Sequence, residues 1–382
     1  MKPMKWIPGF TASLAIASIH LSYGAAQGLK PAQSPGGVPA ALMKKLTRGV
    51  NITRWFLVAQ PNDTAHFQNF FVEQDYANLR RLGIGFVRLG VADTVIYGDG
   101  TPDPTNLPYF DKAIDRLVSE GLAVIIDMHD ITKLKLDLPG RDNKPFVRFW
   151  ESMARHYKGK AETSTIFELQ NEPVFEKNPA TWYKLQRETV AVIRAIDPQR
   201  TILVLSTNWN SIDTLLSMEP LEEKNLIYSF HCYDPSLFTH QGATWAGDAL
   251  KTVKAIPFPA SPEAVSAMID KIPEAFKSNV REYGDKRYDA QYLYNRLSDA
   301  VMWGVRHHVP VLLGEFGSLP LVAPPESRAR YFDSMREATI KLGLPSCVWA
   351  YDDIFGLGRE LTPDGKVHLD PLTLKHLYGV KN

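Results

Sequence analysis

Two glutamates are the residues in this sequence best suited to do chemistry together. Glu172 and Glu315 each follow a short apolar run that predicts a buried strand. Two carboxyl groups on either side of a sugar linkage can cleave it, because one protonates the leaving oxygen while the other attacks or activates water. This works only if their pKa values are pushed apart, so that one group stays protonated and the other ionised.

Further polar and aromatic residues follow the predicted strands in the same way. Arg88 is suited to hold one glutamate ionised through charge attraction and hydrogen bonding, whereas a partly desolvated second glutamate would stay protonated. Taken singly, each residue has an ordinary structural explanation, such as an ion pair, a core histidine or a core tryptophan. The functional interpretation depends on their shared placement at the ends of strands. The residues are Arg88, Asp127, His129, Asn171, Glu172, His231, Tyr233, Glu315 and Trp349.

Eight short runs rich in Val and Ile are the elements that position these residues. Between most of them lies a helical pattern, as in residues 110–118, where apolar residues recur at i, i+3 and i+4. Alternating strands and helices predict parallel pairing, and continuous apolar strands indicate burial on both faces. We therefore expect an α/β protein with a (β/α)8 TIM barrel, whose active residues stand at the C-terminal ends of the strands. The predicted strands are 48–52, 85–89, 122–127, 165–169, 201–205, 226–230, 309–313 and 346–350.

The order of the strands suggests where a ligand would lie. We expect strands four and seven, which carry the two glutamates, to face each other across the barrel. A doubly wound open sheet is the alternative fold, but no glycine-rich phosphate loop follows any strand. The long stretch between strands six and seven contains an insertion, and residues 232–287 are expected to form a wall of the cleft.

The composition excludes some partners and favours others. The 382 residues contain 43 Lys and Arg against 42 Asp and Glu, so nothing indicates a surface for nucleic acid. Aromatic residues make up 11% and include 8 Trp, which favours a ligand with flat apolar faces such as a sugar chain. Cys232 and Cys347 are expected to be buried packing residues rather than a disulfide.

The N-terminus has the order of a secretory signal peptide. Two lysines precede the apolar run 10–19, and small residues follow it. We expect a signal peptide over 1–26, a linker over 27–45 and a catalytic domain over 46–382, in a secreted or periplasmic protein. A membrane anchor is disfavoured because His20 breaks an apolar run that falls short of the ~20 residues needed to span a bilayer.

With these residues in view, the chain resembles glycoside hydrolase family 5, the cellulase and mannanase group of retaining (β/α)8 glycosidases. The resemblance covers residues 46–377 and fills all eight positions of the family pattern. It rests on six segments, which are FVRL at 86–89, DMH at 127–129, ELQNEP at 168–173, SFHCY at 229–233, GEFG at 314–317 and VWA at 348–350.

The resemblance implies how the two glutamates work. Glu172 would be the general acid/base and Glu315 the nucleophile. Arg88 and Tyr233 would hold Glu315, and His231 would tune Glu172. The resemblance further implies a carboxyl separation of about 5 to 5.5 Å and retention of the anomeric configuration, which the residues alone do not decide.

Sugar contacts are also implied. Asn171 would hydrogen-bond the sugar 2-hydroxyl, His129 would contact the bound sugar, and Trp349 would form its stacking floor. Beyond the resemblance, three tryptophans lie just past a strand or in the insertion and are candidate stacking platforms for pyranose rings, namely Trp55, Trp209 and Trp245.

The segment FTHQGATW at 238–245 bears on the substrate. It is similar to a loop of bacterial members that act on β-1,4-glucans, some of which also accept mannans. This favours an endo-β-1,4-glucanase, with a β-mannanase or a mixed glucanase and mannanase as the alternative. Asp130 stands where many cellulases of the group carry a second histidine, and residues 54–56 would narrow or re-aim the non-reducing side of the cleft.

Two alternatives of another class compete with this interpretation. The same architecture hosts metal-dependent hydrolases, and Asp127 with His129 hints at one, but an H-x-H pair after strand one and a lysine ligand at strand four are missing. A carbohydrate-binding protein without turnover would not need both glutamates. We expect a monomeric enzyme that acts on a β-linked polysaccharide or oligosaccharide and needs no cofactor and no metal.

Overall fold

The computed structural model describes residues 35–98, 101–130, 142–160, 164–361 and 366–380, and it contains the predicted barrel. Its eight parallel strands, numbered β1 to β8 along the chain, pair in sequence order, and β8 pairs with β1 to close the barrel. Each predicted strand corresponds to one of them. They are β1 Arg48–Phe56, β2 Phe86–Ala92, β3 Ala123–Asp130, β4 Thr165–Glu168, β5 Thr201–Leu205, β6 Leu226–His231, β7 Val311–Glu315 and β8 Ser346–Val348.

Amphipathic helices surround the barrel. Leu107–Ser119 is typical, because Phe110, Ala113, Ile114 and Leu117 lie on one helical face and are all buried. Up to β6 the helices are Ala40–Lys45, Thr64–Asn69, Glu73–Arg81, Asp93–Ile96, Leu107–Ser119, Lys144–Tyr157, Pro179–Ile196 and Ile212–Leu216. After β6 they are Ser236–Thr239, Asp248–Thr252, Pro262–Ser266, Lys277–Asp285, Ala290–His307, Pro325–Leu342 and Pro371–Tyr378. Short 3-10 turns lie at Pro35–Gly37, Ile269–Lys271 and Glu274–Phe276, and two small hairpins pair Tyr97–Gly98 with Thr101–Pro102 and Gly358–Leu361 with Val367–Leu369.

The barrel interior is divided into an apolar floor and a polar layer above it. Inward-facing side chains alternate along each strand, so residues two apart share the interior face. The floor residues pack together and are Phe86, Ala123, Ile125, Ile166, Leu203, Ile227, Leu312 and Cys347. Two positions further along the strands the buried residues include Arg88, Asp127, Glu168, Ser229 and Gly314. The C-terminal mouth of the barrel is therefore lined by polar side chains that lie directly above an apolar layer.

Close packing of the floor requires a glycine on β1. A Cβ atom on Gly49 would lie 2.3 Å from the Phe86 ring. No real side chain approaches that closely, so the glycine makes the room that the phenylalanine ring fills.

The floor is closed from below by residues that the sequence analysis assigned to the linker. The helix Ala40–Lys45 places Leu42 against the floor residues, together with Val38 and Leu46, and all three are buried. These apolar side chains are removed from water by the barrel floor, so at least residues 38–45 of the predicted linker pack against the barrel. The predicted signal peptide over 1–26 lies outside the described residues.

The connection between β6 and β7 is long, as predicted. Its first part, through the helix Ser236–Thr239 and on to Trp245, lies beside the loop that follows β8, since the His240 and Phe355 ring centroids are 5.0 Å apart. The predicted placement of β4 opposite β7 is wrong, because β5 and β6 separate them and β8 is the strand opposite β4.

Both cysteines are buried and unpaired. Cys347 belongs to the barrel floor, and burial raises the pKa of the Cys232 thiol to about 12. Within the described ranges, no helix combines the length and the apolar character needed to cross a bilayer.

Candidate active site

Glu172 and Glu315 meet at the C-terminal mouth of the barrel. Glu315 is the last residue of β7, and Glu172 lies four residues beyond the end of β4. One carboxylate oxygen from each and one ring nitrogen of His231 all lie within 4.8 Å of one another. The two carboxyl groups therefore reach the same point, although β4 and β7 are three strands apart around the barrel.

Arg88 is the centre of the network under these glutamates. Its guanidinium donates to Glu315 Oε1 at 2.7 Å. Two further bonds, of 2.6 and 2.9 Å, go to the two oxygens of Glu168 and fix the plane of the group. The amide oxygens of Asn51 and Asn171 accept the remaining bonds, at 2.9 and 2.8 Å. Because the side chain is fully buried and each bond constrains it, Arg88 has one orientation available.

One cation thus serves several carboxyl groups. Arg88 also lies 3.2 Å from Asp127 Oδ2, so its charge is shared among Asp127, Glu168 and Glu315. Burial raises the pKa of Asp127 and of Glu168 to about 7, although the Arg88 charge opposes the rise. The cluster therefore holds less negative charge near neutral pH than its carboxyl count suggests.

Glu315 is held at both oxygens. Tyr233, which follows β6, donates its hydroxyl to Oε2 at 2.9 Å, while Arg88 occupies Oε1. Burial raises the pKa of Glu315, and the positive charge of Arg88 makes the rise smaller. Hydrogen bonds to both oxygens favour the ionised form and aim the carboxylate.

Glu172 has a different environment. His231 Nδ1 bonds Glu172 Oε1 at 2.8 Å, and the Glu172 side chain keeps 27% of its surface exposed. Loss of solvent raises its pKa to about 7. Burial lowers the pKa of His231 to about 3, so the ring is neutral near pH 7. The backbone of Glu172 has a φ of +20°, a strained value of the kind found at functional sites.

A second chain of hydrogen bonds orients the groups beside the carboxylates. His129 Nδ1 bonds Asp127 Oδ2 at 2.7 Å, and Asn171 Nδ2 lies 3.2 Å from His129 Nε2. Since the Asn171 amide nitrogen can only donate, Nε2 accepts and the ring proton lies on Nδ1. His129 also stacks on Trp349, with ring centroids 4.8 Å apart, which positions that indole.

The three candidate stacking tryptophans differ in how far they are exposed to solvent. Trp55 is 4% exposed, stacks on Phe71 at 4.9 Å and donates its indole N–H to the Phe67 carbonyl. It is a core residue, and its assignment as a stacking platform was wrong. The physical reason is that β1 continues through residues 54–56, so Trp55 lies within the strand rather than beyond it.

Trp209 and Trp245 are accessible, with 41% and 67% of their surface exposed. Trp209 follows β5 in a left-handed conformation, and its neighbour Asn208 donates to the carbonyl of Val174 in the segment after Glu172. Trp245 lies 6.2 Å from the Phe355 ring, in the part of the insertion that borders the mouth.

The sequence analysis missed Asn51 and Glu168 as supporting residues, and it placed Asp127 at the mouth without giving it a contact to Arg88. Their signal was present, because each is a polar residue within a predicted strand, at the spacing of two that marks the interior face. Asp127 and His129 bond to each other and to the Arg88 network, which is the observation against the metal interpretation. Within the described residues, the potential metal-ligating atoms that lie close together are those of Glu172, His231 and Glu315. A divalent cation there would compete with the Arg88 charge 2.7 Å from Glu315.

Comparison with known proteins agrees with this geometry. The sequence model described as Cellulase (glycosyl hydrolase family 5) matches residues 53–353. Endoglucanase 3 of Fibrobacter succinogenes is 29% identical over 340 residues, which cover 82% of this chain but 51% of that protein, so the chain spans about half of its length. Endoglucanase C of Acetivibrio thermocellus is 27% identical over 320 residues, which cover 81% of this chain and 92% of that protein.

Solved structures show the same fold. The endoglucanase Cel5A of Thermotoga maritima superposes with a TM-score of 0.66 at 25% identity, over 88% of this chain and 98% of that one. A family match over most of the chain, together with the barrel and its carboxylate pair, settles the classification. This chain belongs to glycosyl hydrolase family 5 and is a glycoside hydrolase.

Proposed function

We propose that the protein is a retaining endo-β-1,4-glucanase that works by double displacement. Glu315 attacks the anomeric carbon while Glu172 protonates the glycosidic oxygen, so the C–O bond breaks as a glycosyl–Glu315 ester forms. Glu172, now ionised, then takes a proton from water, and the resulting hydroxide displaces Glu315 from the sugar.

The carboxylate separation is the observation that carries this proposal. Oxygens of Glu172 and Glu315 lie within 4.8 Å of each other. Retaining enzymes hold their carboxyl groups about 5 to 5.5 Å apart, whereas inverting enzymes need about 6.5 to 9.5 Å to admit water. The environments also suit the roles, since Glu315 receives two hydrogen bonds that favour its charge and Glu172 has a raised pKa.

The glucan substrate is proposed from the relatives, several of which are named endoglucanases. A mannan-active enzyme is the second candidate, because a Cel5A structure at 25% identity is described in complex with a mannotriose substrate. Export from the cell is proposed from the N-terminal sequence pattern alone.

Product analysis tests the activity and its stereochemistry together. We expect reducing sugar to be released from carboxymethyl cellulose and lichenan faster than from galactomannan, with the first products appearing as β-anomers by proton NMR. Initial α-anomers would show inversion, and faster release from galactomannan would show a mannanase. No release from any β-glucan, mannan or xylan would support a binding protein.

Matched substitutions of two tryptophans test the extent of the cleft. We expect Trp245→Ala to raise KM for a soluble glucan by up to about tenfold, because an exposed ring that stacks on sugar is lost, with an unchanged melting temperature. Trp55→Ala should instead destabilise the fold by about 3 to 5 kcal/mol and leave KM unchanged, because it removes a core ring. A lower melting temperature for Trp245→Ala with no change in KM would contradict the stacking role.

A further inference from the structure

Thr239 lies between the residue that holds Glu315 and the loop that follows Glu315. It is the last residue of the short helix Ser236–Thr239 and is fully buried. Its hydroxyl donates to the Tyr233 carbonyl at 2.6 Å, and its own carbonyl accepts from the Leu319 N–H at 2.8 Å. Leu319 follows Glu315, the last residue of β7, along the same loop. One threonine therefore joins the segment that carries the hydrogen-bond donor to the segment that carries the carboxylate.

Tyr233 lies outside the barrel strands, so local contacts set its position. β6 ends at His231, before Tyr233 is reached. The Tyr233 ring meets the His240 and Phe355 rings nearly edge-on, with centroids 5.0 and 6.0 Å away. These ring contacts restrict how the Tyr233 side chain can turn, and the bond from Thr239 restricts how far its backbone can shift.

The same hydroxyl also orients His240. Thr239 Oγ1 lies 3.0 Å from His240 Nδ1. A carbonyl oxygen can only accept, so the single hydroxyl proton goes to Tyr233, since the other nearby carbonyl, of Pro235, is 3.5 Å away. His240 Nδ1 is then the donor to Oγ1 and carries the ring proton. Removal of the hydroxyl would therefore release both the Tyr233 backbone and a ring that packs on Tyr233.

We propose that Thr239 is a positioning residue for the nucleophile, which it serves by holding Tyr233 at hydrogen-bond distance from Glu315. This rests on the proposed role of Glu315. The Tyr233 hydroxyl donates to Glu315 Oε2 at 2.9 Å, and such a bond weakens steeply when its geometry is disturbed. Without the Thr239 hydroxyl, Tyr233 can shift, and Oε2 loses a donor that favours its negative charge. The carboxyl group of Glu315 then takes up a proton at a higher pH.

The acid side of the pH profile reports this change. The ionisable groups that face Glu315 from the other strands and their loops are Arg88, His129, Glu172 and His231. Arg88 keeps its charge throughout. Burial lowers the pKa of His129 to about 4 and that of His231 to about 3, so neither ring adds a charge in most of the acid range. Burial raises the pKa of Glu172 to about 7, so below that pH it carries the proton that it needs.

Removal of the hydroxyl tests the proposal. On dinitrophenyl β-cellobioside, whose leaving group needs no proton, kcat/KM depends on the nucleophile rather than on the acid. We expect Thr239→Ala to move the acid side of this profile up by roughly half a pH unit. Tyr233→Phe, which removes the donor itself, should move it up by about one unit. Thr239→Ser keeps the hydroxyl and should leave the acid side in place.

Thr189→Ala is the matched control. Thr189 is also fully buried, and its hydroxyl donates to the Leu185 carbonyl at 2.8 Å on the outer helix Pro179–Ile196. This variant should lower the melting temperature without moving the acid side. If Thr239→Ala behaves in the same way, or if Thr239→Ser shifts the profile as far as alanine does, the hydroxyl has no positioning role. Should the alanine variant not fold, Thr239→Val also lacks the hydroxyl and gives the same comparison.

Tyr233→Phe distinguishes failure of this inference from failure of the proposed function. If it moves the acid side while Thr239→Ala does not, Thr239 loses its role and Glu315 remains the nucleophile. If Tyr233→Phe leaves the acid side unmoved, the group that titrates there is not Glu315, and the proposed nucleophile is overturned together with this inference.

Discussion

Glu315→Gln is expected to lower hydrolysis of soluble β-glucan by roughly 10⁴-fold or more, because an amide oxygen cannot form the glycosyl ester. The fold should survive the change. Glutamine has nearly the shape of glutamate, its carbonyl oxygen can accept from Arg88, and its amide group can donate to the Tyr233 hydroxyl. Binding of a β-1,4-linked glucooligosaccharide, measured by isothermal titration calorimetry, should stay within a few-fold of the unmodified protein.

Glu73→Gln is a suitable control for this experiment. Glu73 lies on the outer helix Glu73–Arg81, and its side chain is 67% exposed in an ion pair with Arg80. The same loss of one negative charge at the surface should leave kcat unchanged, since exposed pairs contribute little. Appreciable turnover by Glu315→Gln would remove Glu315 as the nucleophile and leave the Arg88 network without a catalytic purpose.

Several residues besides Glu315 are needed to hold Arg88 in its buried position beside the proposed nucleophile. The desolvation penalty of a buried cation and its carboxylate partners exceeds the energy of their attraction unless each N–H of the cation also donates a hydrogen bond. Arg88 satisfies this condition through Glu168, Asn51 and Asn171 as well as Glu315. Its fixed position then supplies a preorganised positive charge at the point where the Glu315 charge changes during the reaction.

Strand patterns and local motifs were enough to predict the barrel and most of the mouth. Continuous apolar runs identify buried parallel strands, and the rule that chemistry lies at their C-terminal ends selects residues such as Arg88 and His231 without knowledge of the structure. Glu172 was selected in the same way, although its position depends on four residues beyond β4.

The remaining features depend on information that one strand does not carry. Trp55 was assigned to the wrong environment because a tryptophan after an apolar run is compatible with a longer strand or with a loop. Only the pairing of β1 with β2 up to Phe56 shows that the strand continues past Trp55. The support that Glu168 gives to Arg88 requires residues 80 positions apart to meet, which follows from barrel closure. Likewise, the packing of the short helix Ala40–Lys45 against the barrel becomes recognisable only when the floor that it covers is present.

The different hydrogen-bond partners and the raised pKa values of the two glutamates lead to a prediction about pH. The acid must carry a proton, and burial raises the pKa of Glu172 to about 7, so kcat/KM should fall as the pH rises through about 7. The nucleophile must be ionised, so kcat/KM should also fall at acid pH as Glu315 takes up a proton, at a pH above that expected for an exposed glutamate. The profile of the unmodified protein should therefore be bell-shaped.

Glu172→Ala assigns the basic side of that profile. On polysaccharide we expect kcat/KM to fall roughly 10²- to 10⁴-fold, the usual contribution of a general acid. With dinitrophenyl β-cellobioside the first step should proceed and the decline near pH 7 should disappear, because no residue remains that must be protonated. Azide fits the space that the carboxyl group leaves, needs no general base, and should restore turnover by forming a β-glycosyl azide. If the decline near pH 7 persists in Glu172→Ala, a group other than Glu172 supplies the proton. An α-glycosyl azide as the product would show that the glycosyl ester on Glu315 is not formed.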